Sequence, residues 1–256
     1  MARESKKTAA RFNWRLMFGL TGLGLVALCT AAAGIKLRQL AATDPHFMLS
    51  RDRKDAVTIL GLKYAGRTRV QRIFAADFDH SIFSVPLNER RRTLLAIDWV
   101  EDAAVSRIWP DRLVARVTER KPVAFVLFRA GVLLIDAHGV LLEPPAQAQF
   151  AFPVLSGIRE SETQAERREH VRTYRSLMDD LGYLSKDVSE VDASDPENIH
   201  MVAQADDRAV MLLLGDTNFA ARYQNFLNHY PEIRKRSPSA KAFDLRLDGQ
   251  ITVKEQ

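Results

Sequence analysis

Residues 100–120 read VEDAAVSRIWPDRLVARVTER, and this stretch decides the fold. It predicts a strand over Val100–Ile108, a turn at Trp109-Pro110-Asp111 and a second strand over Arg112–Glu119. In the second strand Leu113, Ala115 and Val117 alternate with Val114, Arg116 and Thr118, the period of two that a pleated strand imposes. Proline in second position suits the turn, because its ring presets φ. A long strand, a tight turn and an alternating strand together specify an antiparallel hairpin.

Upstream, Val57, Ile59 and Leu62 predict a strand that closes at a turn near Ala65-Gly66. Arg67 to Ala75 fits a short helix with Val70, Ile73 and Phe74 inward. Ser84 reads as the N-cap of a second helix, with Pro86 in its first turn, running to about Ala96. Leu87, Leu94 and Leu95 form the expected buried stripe of that helix, and Glu89 to Arg92 its wet face. Residues 47–119 therefore read β-α-α-β-β.

Downstream of Lys121 the texture changes to short hairpins. Val123–Phe128, Val132–Ile135 and Val140–Leu142 read as a meander whose turns are Arg129-Ala130-Gly131 and Asp136-Ala137-His138-Gly139. Pro144-Pro145 stops it, and Val154-Leu155 resumes it. Glu162 to Leu181 keeps the helical period through Val171, Tyr174, Leu177, Met178 and Leu181, ending at Gly182. Strands are expected at Val188–Val191, Ile199–Ala203 and Ala209–Leu214, then a helix at Asn218–Tyr230 closed by Pro231. The last strands are expected at Phe243–Leu247 and Gln250–Lys254, joined by an Asp248-Gly249 turn. The class is α+β: a β-α-α-β-β unit, then a mixed β domain over residues 120–256 with two helices.

Before all of this lies an uncharged run, Leu16 to Ile35, behind a basic leader. As a helix rising about 1.5 Å per residue it covers roughly 30 Å, the hydrocarbon thickness of a bilayer. Ala31-Ala32-Ala33 offers small residues to a signal peptidase. The run nevertheless exceeds the roughly 7–15 residues of a signal-peptide core, so a retained anchor is expected. Trp14 stands at its start, where an aromatic ring suits the headgroup region. The expected layout is a cytoplasmic tail over 1–15, a membrane helix over 16–35, a connector over 36–46 and two extracytoplasmic units over 47–119 and 120–256. Long domains translocate largely regardless of charge, which favours an N-in, C-out single pass (type II) in the plasma or inner membrane.

Of the 37 basic and 32 acidic residues, the leader holds five and one, leaving a domain of nearly zero net charge. That offers no footprint for nucleic acid, which is bound through a clustered basic face. Cys29 is the only cysteine and falls in the apolar run, so the remaining domain has neither disulfides nor thiol nucleophiles. The six histidines are scattered without HExxH spacing or a local triad signature, and no phosphate-cradling glycine loop is present. Asp136 and His138 fall in a hairpin turn, where aspartate and glycine serve the backbone. No catalytic, metal or cofactor residues are expected.

The run from Trp99-Val100 through Ala103, Val105, Arg107, Trp109-Pro110 and Leu113 resembles a signature of the bacterial cell-division family FtsQ/DivIB. So does Val117-Thr118-Glu119-Arg120-Lys121-Pro122-Val123-Ala124, together with Ser81 to Val85 and Asp244-Leu245-Arg246. The resemblance implies a polypeptide-transport-associated (POTRA) domain over 47–119 followed by the mixed β domain. It also implies a non-enzymatic scaffold of the divisome at the septum, which binds FtsB, FtsL and other septal membrane proteins and restrains septal peptidoglycan synthesis until activation. In that family the last strands receive a partner strand, and a basic residue matching Arg246 meets a partner carboxylate. The implied partner-binding residues are Phe243, Asp244, Leu245, Arg246, Leu247, Ile251 and Val253, with Leu247 where an aromatic is often found. Alternation places Phe243, Leu245 and Leu247 on one face and Asp244 and Arg246 on the other.

Several motifs carry a structural reading beside the functional one. Trp109-Pro110-Asp111-Arg112 is a contact surface or simply a turn. Glu119-Arg120-Lys121-Pro122 is a docking site or a junction held by an ion pair. The Trp99 indole is expected to pack on the sheet, and Arg90-Arg91-Arg92 to be a solvated helix face. Two other classes compete: a membrane-anchored periplasmic cell-wall enzyme, which needs converging carboxylates, and a POTRA-type protein-assembly factor, which normally carries such domains in series.

Overall fold

The computed structural model describes residues 28–36, 43–247 and 249–254. Residues 28–36 are helical and exposed. Most of the expected membrane pass, residues 16–27, and the leader before it lie outside the described residues. Among the described residues no helix is long and apolar enough to cross a membrane.

The first part of the chain contains strand β1 (Val57–Leu60), helix α1 (Arg67–Ile73), helix α2 (Leu87–Leu95), β2 (Val100–Ile108) and β3 (Arg112–Glu119). These are the five elements that the sequence predicts, in order. The three strands form one sheet, β1-β3-β2, with β1 parallel to β3 in the register Val57↔Leu113 to Leu60↔Arg116. By its contacts the described chain divides into two compact units: residues up to 60, 68–93 and 104–116, and residues 61–67, 94–103 and 117 onward.

The first unit closes over Leu49, Ile59, Val70, Phe74, Ile82, Val85 and Leu113. Two details differ from the sequence reading. The Ser84 hydroxyl donates to the Ser81 carbonyl (2.7 Å) rather than capping a helix, because α2 begins three residues later at Leu87. Arg90 belongs to no wet face. Its guanidinium donates twice to the buried carboxylate of Asp77 (2.7 and 2.8 Å), since a buried charge needs a partner.

The second unit holds β4 (Pro122–Phe128), β5 (Gly131–Asp136), β6 (Leu141–Leu142), β7 (Val154–Ser156), helix α3 (Gln164–Leu181), β8 (Val188–Asp192), β9 (Ile199–Ala205), β10 (Arg208–Gly215), helix α4 (Phe219–Arg236), β11 (Ala242–Asp244) and β12 (Thr252–Lys254). Its sheet runs β12-β11-β10-β9-β8-β7-β4-β5-β6. Hairpins supply the antiparallel joints, while β4–β7, β7–β8 and β10–β11 are parallel. A parallel joint needs a crossover: β5 and β6 lie in the one from β4 to β7, and the β7–β8 and β10–β11 crossovers are the helices α3 and α4. Both step the same way across the sheet from strands of the same direction, so right-handed connection puts both helices on one face. Val171, Tyr174 and Leu177 of α3 and Tyr223, Phe226 and Tyr230 of α4 accordingly join a single apolar cluster with the sheet.

Helix α3 starts with a capping box: Thr163 Oγ1 accepts from the Glu166 N–H, and the Glu166 carboxylate accepts from the Thr163 N–H. Helix α4 does not end at Pro231 but runs through it to Arg236. Pro231 is exposed, and the apolar stripe through Phe226 and Tyr230 continues to the partly buried Ile233. Packing of that last turn offsets the backbone bond that proline removes.

The motifs around the β3–β4 junction are structural within the second unit. The Glu119 carboxylate accepts the N–H groups of Lys63, Tyr64 and Ala65 at 2.7–2.9 Å. Arg120 bridges the Asp98 carbonyl (3.0 Å) and Asp136 (2.9 Å). Asp136 in turn accepts from the His138 and Val140 N–H groups (2.9 and 2.8 Å), closing the predicted turn. Trp99 packs against Tyr64 and Phe150, and its indole N–H donates to the Glu143 carbonyl (3.0 Å).

Candidate functional site: the free edge at β12

β12 ends the sheet order, so one of its two edges has no strand beside it among the described residues. An open edge presents N–H and C=O groups that an incoming strand can complete. The other edge pairs antiparallel with β11 in the register Ala242↔Lys254, Phe243↔Val253 and Asp244↔Thr252. That register puts Val253 on the same face as Phe243, the face covered by α4. Thr252 and Lys254 take the opposite face.

Phe243 is 1% exposed, with its ring centroid 5.0 Å from Phe226 and 6.1 Å from Tyr230. Leu245 is equally buried. These two side chains are used by the core and serve the edge by fixing β11. Leu247 departs from the expected alternation and is 64% exposed. The strand ends at Asp244, and a turn in which the Gln250 N–H donates to the Leu247 carbonyl (3.1 Å) reverses the chain. The last strands are correspondingly shorter than Phe243–Leu247 and Gln250–Lys254, and Asp248 lies outside the described residues.

Asp244 and Arg246 lie together, as the sequence places them. Arg246 Nε and Nη2 donate to the Asp244 carboxylate (2.9 and 2.6 Å), and Nη1 donates to the Asn198 side-chain oxygen (3.0 Å). The hydrogen bonds from Arg246 hold the Asp244 carboxyl below its ordinary range, and the Asp244 carboxylate raises Arg246. The cation is already neutralised within the chain, so an incoming carboxylate has to compete with Asp244 for it.

Between α4 and the C-terminal segment runs a groove that the sequence reading missed. One cavity of about 330 Å³ is lined by Asn218, Arg222, Asn225, Leu245, Leu247 and Gly249. A neighbouring one of about 240 Å³ is lined by Asn225, His229, Glu232, Arg236, Gly249 and Ile251. They share Asn225 and Gly249. Partly buried Ile233 and Ile251 give the second cavity an apolar lining, and Val253 packs beside them against the core. Ending the helix at Pro231 hid its last turn, which supplies Glu232 and Arg236. The one available signal was the apolar stripe reaching Ile233.

Elsewhere, a cavity of about 650 Å³ lies beside Tyr174, Phe152 and Met178. The Tyr174 hydroxyl donates to the Val123 carbonyl (3.2 Å), and burial pushes its pKa up to about 12. Among the described residues no three His, Cys, Asp or Glu side chains are grouped to hold a metal ion.

Residues 124–246 match the family model for the cell division protein FtsQ/DivIB C-terminal domain, and residues 54–120 match the FtsQ-type POTRA domain. A cell division protein FtsQ of Koribacter versatilis is 36% identical over 97% of this chain and 72% of its own length. The chain belongs to the FtsQ/DivIB family. The Shewanella oneidensis FtsQ is 25% identical over 98% of this chain and 90% of its own length, so the likeness again spans both regions. In Zymomonas mobilis an FtsQ is 34% identical over 50% of this chain and 40% of its own. The family is one of bacterial cell-division proteins, and the POTRA assignment agrees with the β-α-α-β-β order seen in the fold. The match to the FtsQ/DivIB C-terminal model stops at Arg246, before β12, so the edge strand is a feature read from this structure rather than from that match.

Proposed function

We propose that the chain is a non-enzymatic, single-pass membrane scaffold of the divisome. Its extracytoplasmic C-terminal edge receives a strand from FtsB, in a complex that also contains FtsL. The observation that carries this reading is the open edge of β12 beside the α4 groove. Main-chain pairing to β12 would supply affinity. Side chains pointing to the α4 face would meet Ile251, Val253 and the groove, which supplies specificity. Arg246, released from Asp244, is the charge anchor, and Asp244 sets how strong a competing carboxylate must be. The N-terminus is read as cytoplasmic, and two sequence domains, 47–119 and 120–256, as lying outside the membrane.

The test is binding of the full chain in detergent micelles to the outer segment of the same organism's FtsB. The wild type is compared with Arg246→Glu and with a truncation after Gln250, which deletes β12. Loss of binding in the truncation, with circular dichroism unchanged, is expected. Binding that survives both changes would move the partner site off this edge.

A further inference from the structure

The turn between β2 and β3 does more than reverse the chain. Trp109 stands 66% exposed at its tip, next to Ile108 at 39%. Its ring lies edge-on to Phe47 (5.7 Å) and to Phe83 (5.4 Å), and those two meet edge-on at 5.2 Å. Three rings in a closed triangle, all in the first unit, would ordinarily be core. This triangle faces outward, with Phe47 and Phe83 only half-buried.

Backbone bonds hold the triangle in place. The Ile82 N–H donates to the Phe47 carbonyl (2.8 Å), and the Leu49 N–H to the His80 carbonyl (2.9 Å). Arg107 Nε and Nη2 donate to the carbonyls of Ile82 (2.5 Å) and Val85 (2.7 Å), tying the Phe83 loop to β2. Arg53 pairs with Asp111 in the turn itself. Ordering entropy for the rings is therefore spent in folding, and a surface that covers them does not incur it again.

What covers them is indicated by chain length and charge. Phe47 follows Ile35, the last residue of the uncharged run, by twelve positions. Twelve residues reach at most about 40 Å, so the triangle is tethered within reach of any bilayer that holds that run. The surrounding charge is balanced. Residues 44–55 and 107–112 carry five basic side chains (Arg51, Arg53, Lys54, Arg107 and Arg112) against four acidic ones (Asp44, Asp52, Asp55 and Asp111). Arg53 is paired with both Asp55 and Asp111. An acidic protein partner has no cationic field to follow here. A fixed group of aromatic rings with an indole at its tip fits the boundary between lipid headgroups and acyl chains, where tryptophan is enriched.

We propose that the Phe47–Phe83–Trp109 triangle seats the first unit on the lipid headgroup surface of the membrane that carries the chain's own anchor. This rests on the membrane-anchored reading above. Docking is by aromatic insertion, so it occurs on zwitterionic lipid and is insensitive to salt, unlike attraction through a basic patch.

The test uses the full chain reconstituted in phosphatidylcholine vesicles, with and without phosphatidylglycerol, and tryptophan quenching by brominated phosphatidylcholine. The chain has three tryptophans, Trp14, Trp99 and Trp109. Comparing the wild type with Trp14→Phe reports the anchor. Comparing Trp14→Phe with Trp14→Phe/Trp109→Phe isolates the triangle. The expected result is bromolipid quenching of the Trp109 emission, lost in the double variant and unchanged by phosphatidylglycerol or salt. Trp109 emission that bromolipid leaves intact and aqueous iodide quenches would overturn docking while Trp14 still reports an anchor. Protection from both quenchers would mean that protein, such as a second copy of the chain, covers the rings, and would also overturn it. An unquenched Trp14 would remove the anchor reading and the docking with it.

Discussion

Replacing Phe243 by alanine tests how the C-terminal edge of the sheet is built. The ring is fully buried between Phe226 and Tyr230, and its strand is only three residues long. Phe→Ala in a core costs about 3–5 kcal/mol. Of this, each aromatic pair accounts for about 0.5–1.5 kcal/mol beyond area burial. β11 is held by β10 on one side and β12 on the other, so the cavity cannot close by moving the strand, and the expected loss is about 4 kcal/mol. With a urea slope near 2 kcal/mol per molar, the unfolding midpoint falls by about 2 M. Leu247→Ala, on the same face by simple alternation but exposed in the structure, should change stability by no more than about 0.5 kcal/mol. The assay is urea unfolding of the full chain in micelles, followed by near-ultraviolet circular dichroism. Equal midpoint shifts for the two variants would refute the reasoning, because they would mean that the strand continues to Leu247.

In the first unit, Asp77→Ala leaves the half-buried Arg90 guanidinium without its bidentate partner and should cost about 3–5 kcal/mol. Chemical denaturation should show most of that loss recovered when Arg90→Leu is added, and no recovery would argue against the pair. Asp244→Asn should flatten the acid limb of stability. A carboxyl depressed in the folded state adds stability above its unfolded value of about 3.9, and that stability is lost as pH falls through the folded value. Melting curves from about pH 6 downward should therefore converge for wild type and variant at low pH, and curves that stay parallel would count against the Arg246 pairing. Gly61→Ala should destabilise by more than about 1 kcal/mol. At φ +88° its new Cβ would stand 2.0 Å from the Val117 carbonyl oxygen, so an unchanged melting temperature would contradict the backbone geometry.

Elements with strong local signals were readable in the chain. The β2–β3 hairpin follows from alternation and a proline turn, and α3 from its apolar period and the glycine at its end. Errors fell where a distant contact outweighs the local signal. Arg90 looks like one more charge in a basic run until Asp77, thirteen positions earlier, is seen to be buried beside it. Pro231 looks like a helix end until the packing of Ile233 is included. Leu247 looks inward until the turn after Asp244 ends the strand.

The same division applies to function. Periodicity, turn chemistry and the Trp-Pro and Glu-Arg-Lys-Pro-Val-Ala motifs were enough to recognise the family and the order of elements, because each depends on neighbouring residues. The order of strands in the nine-stranded sheet was not readable. It depends on the α3 crossover that makes β8 parallel to β7 and the α4 crossover that makes β11 parallel to β10 and leaves β12 outermost. The contact of Arg246 with Asn198, the groove along α4 and the outward triangle at Trp109 likewise arise from residues that only folding brings together. Local sequence encodes torsion and period, whereas an edge, a groove or an ion pair is a relation between distant segments set by how they pack.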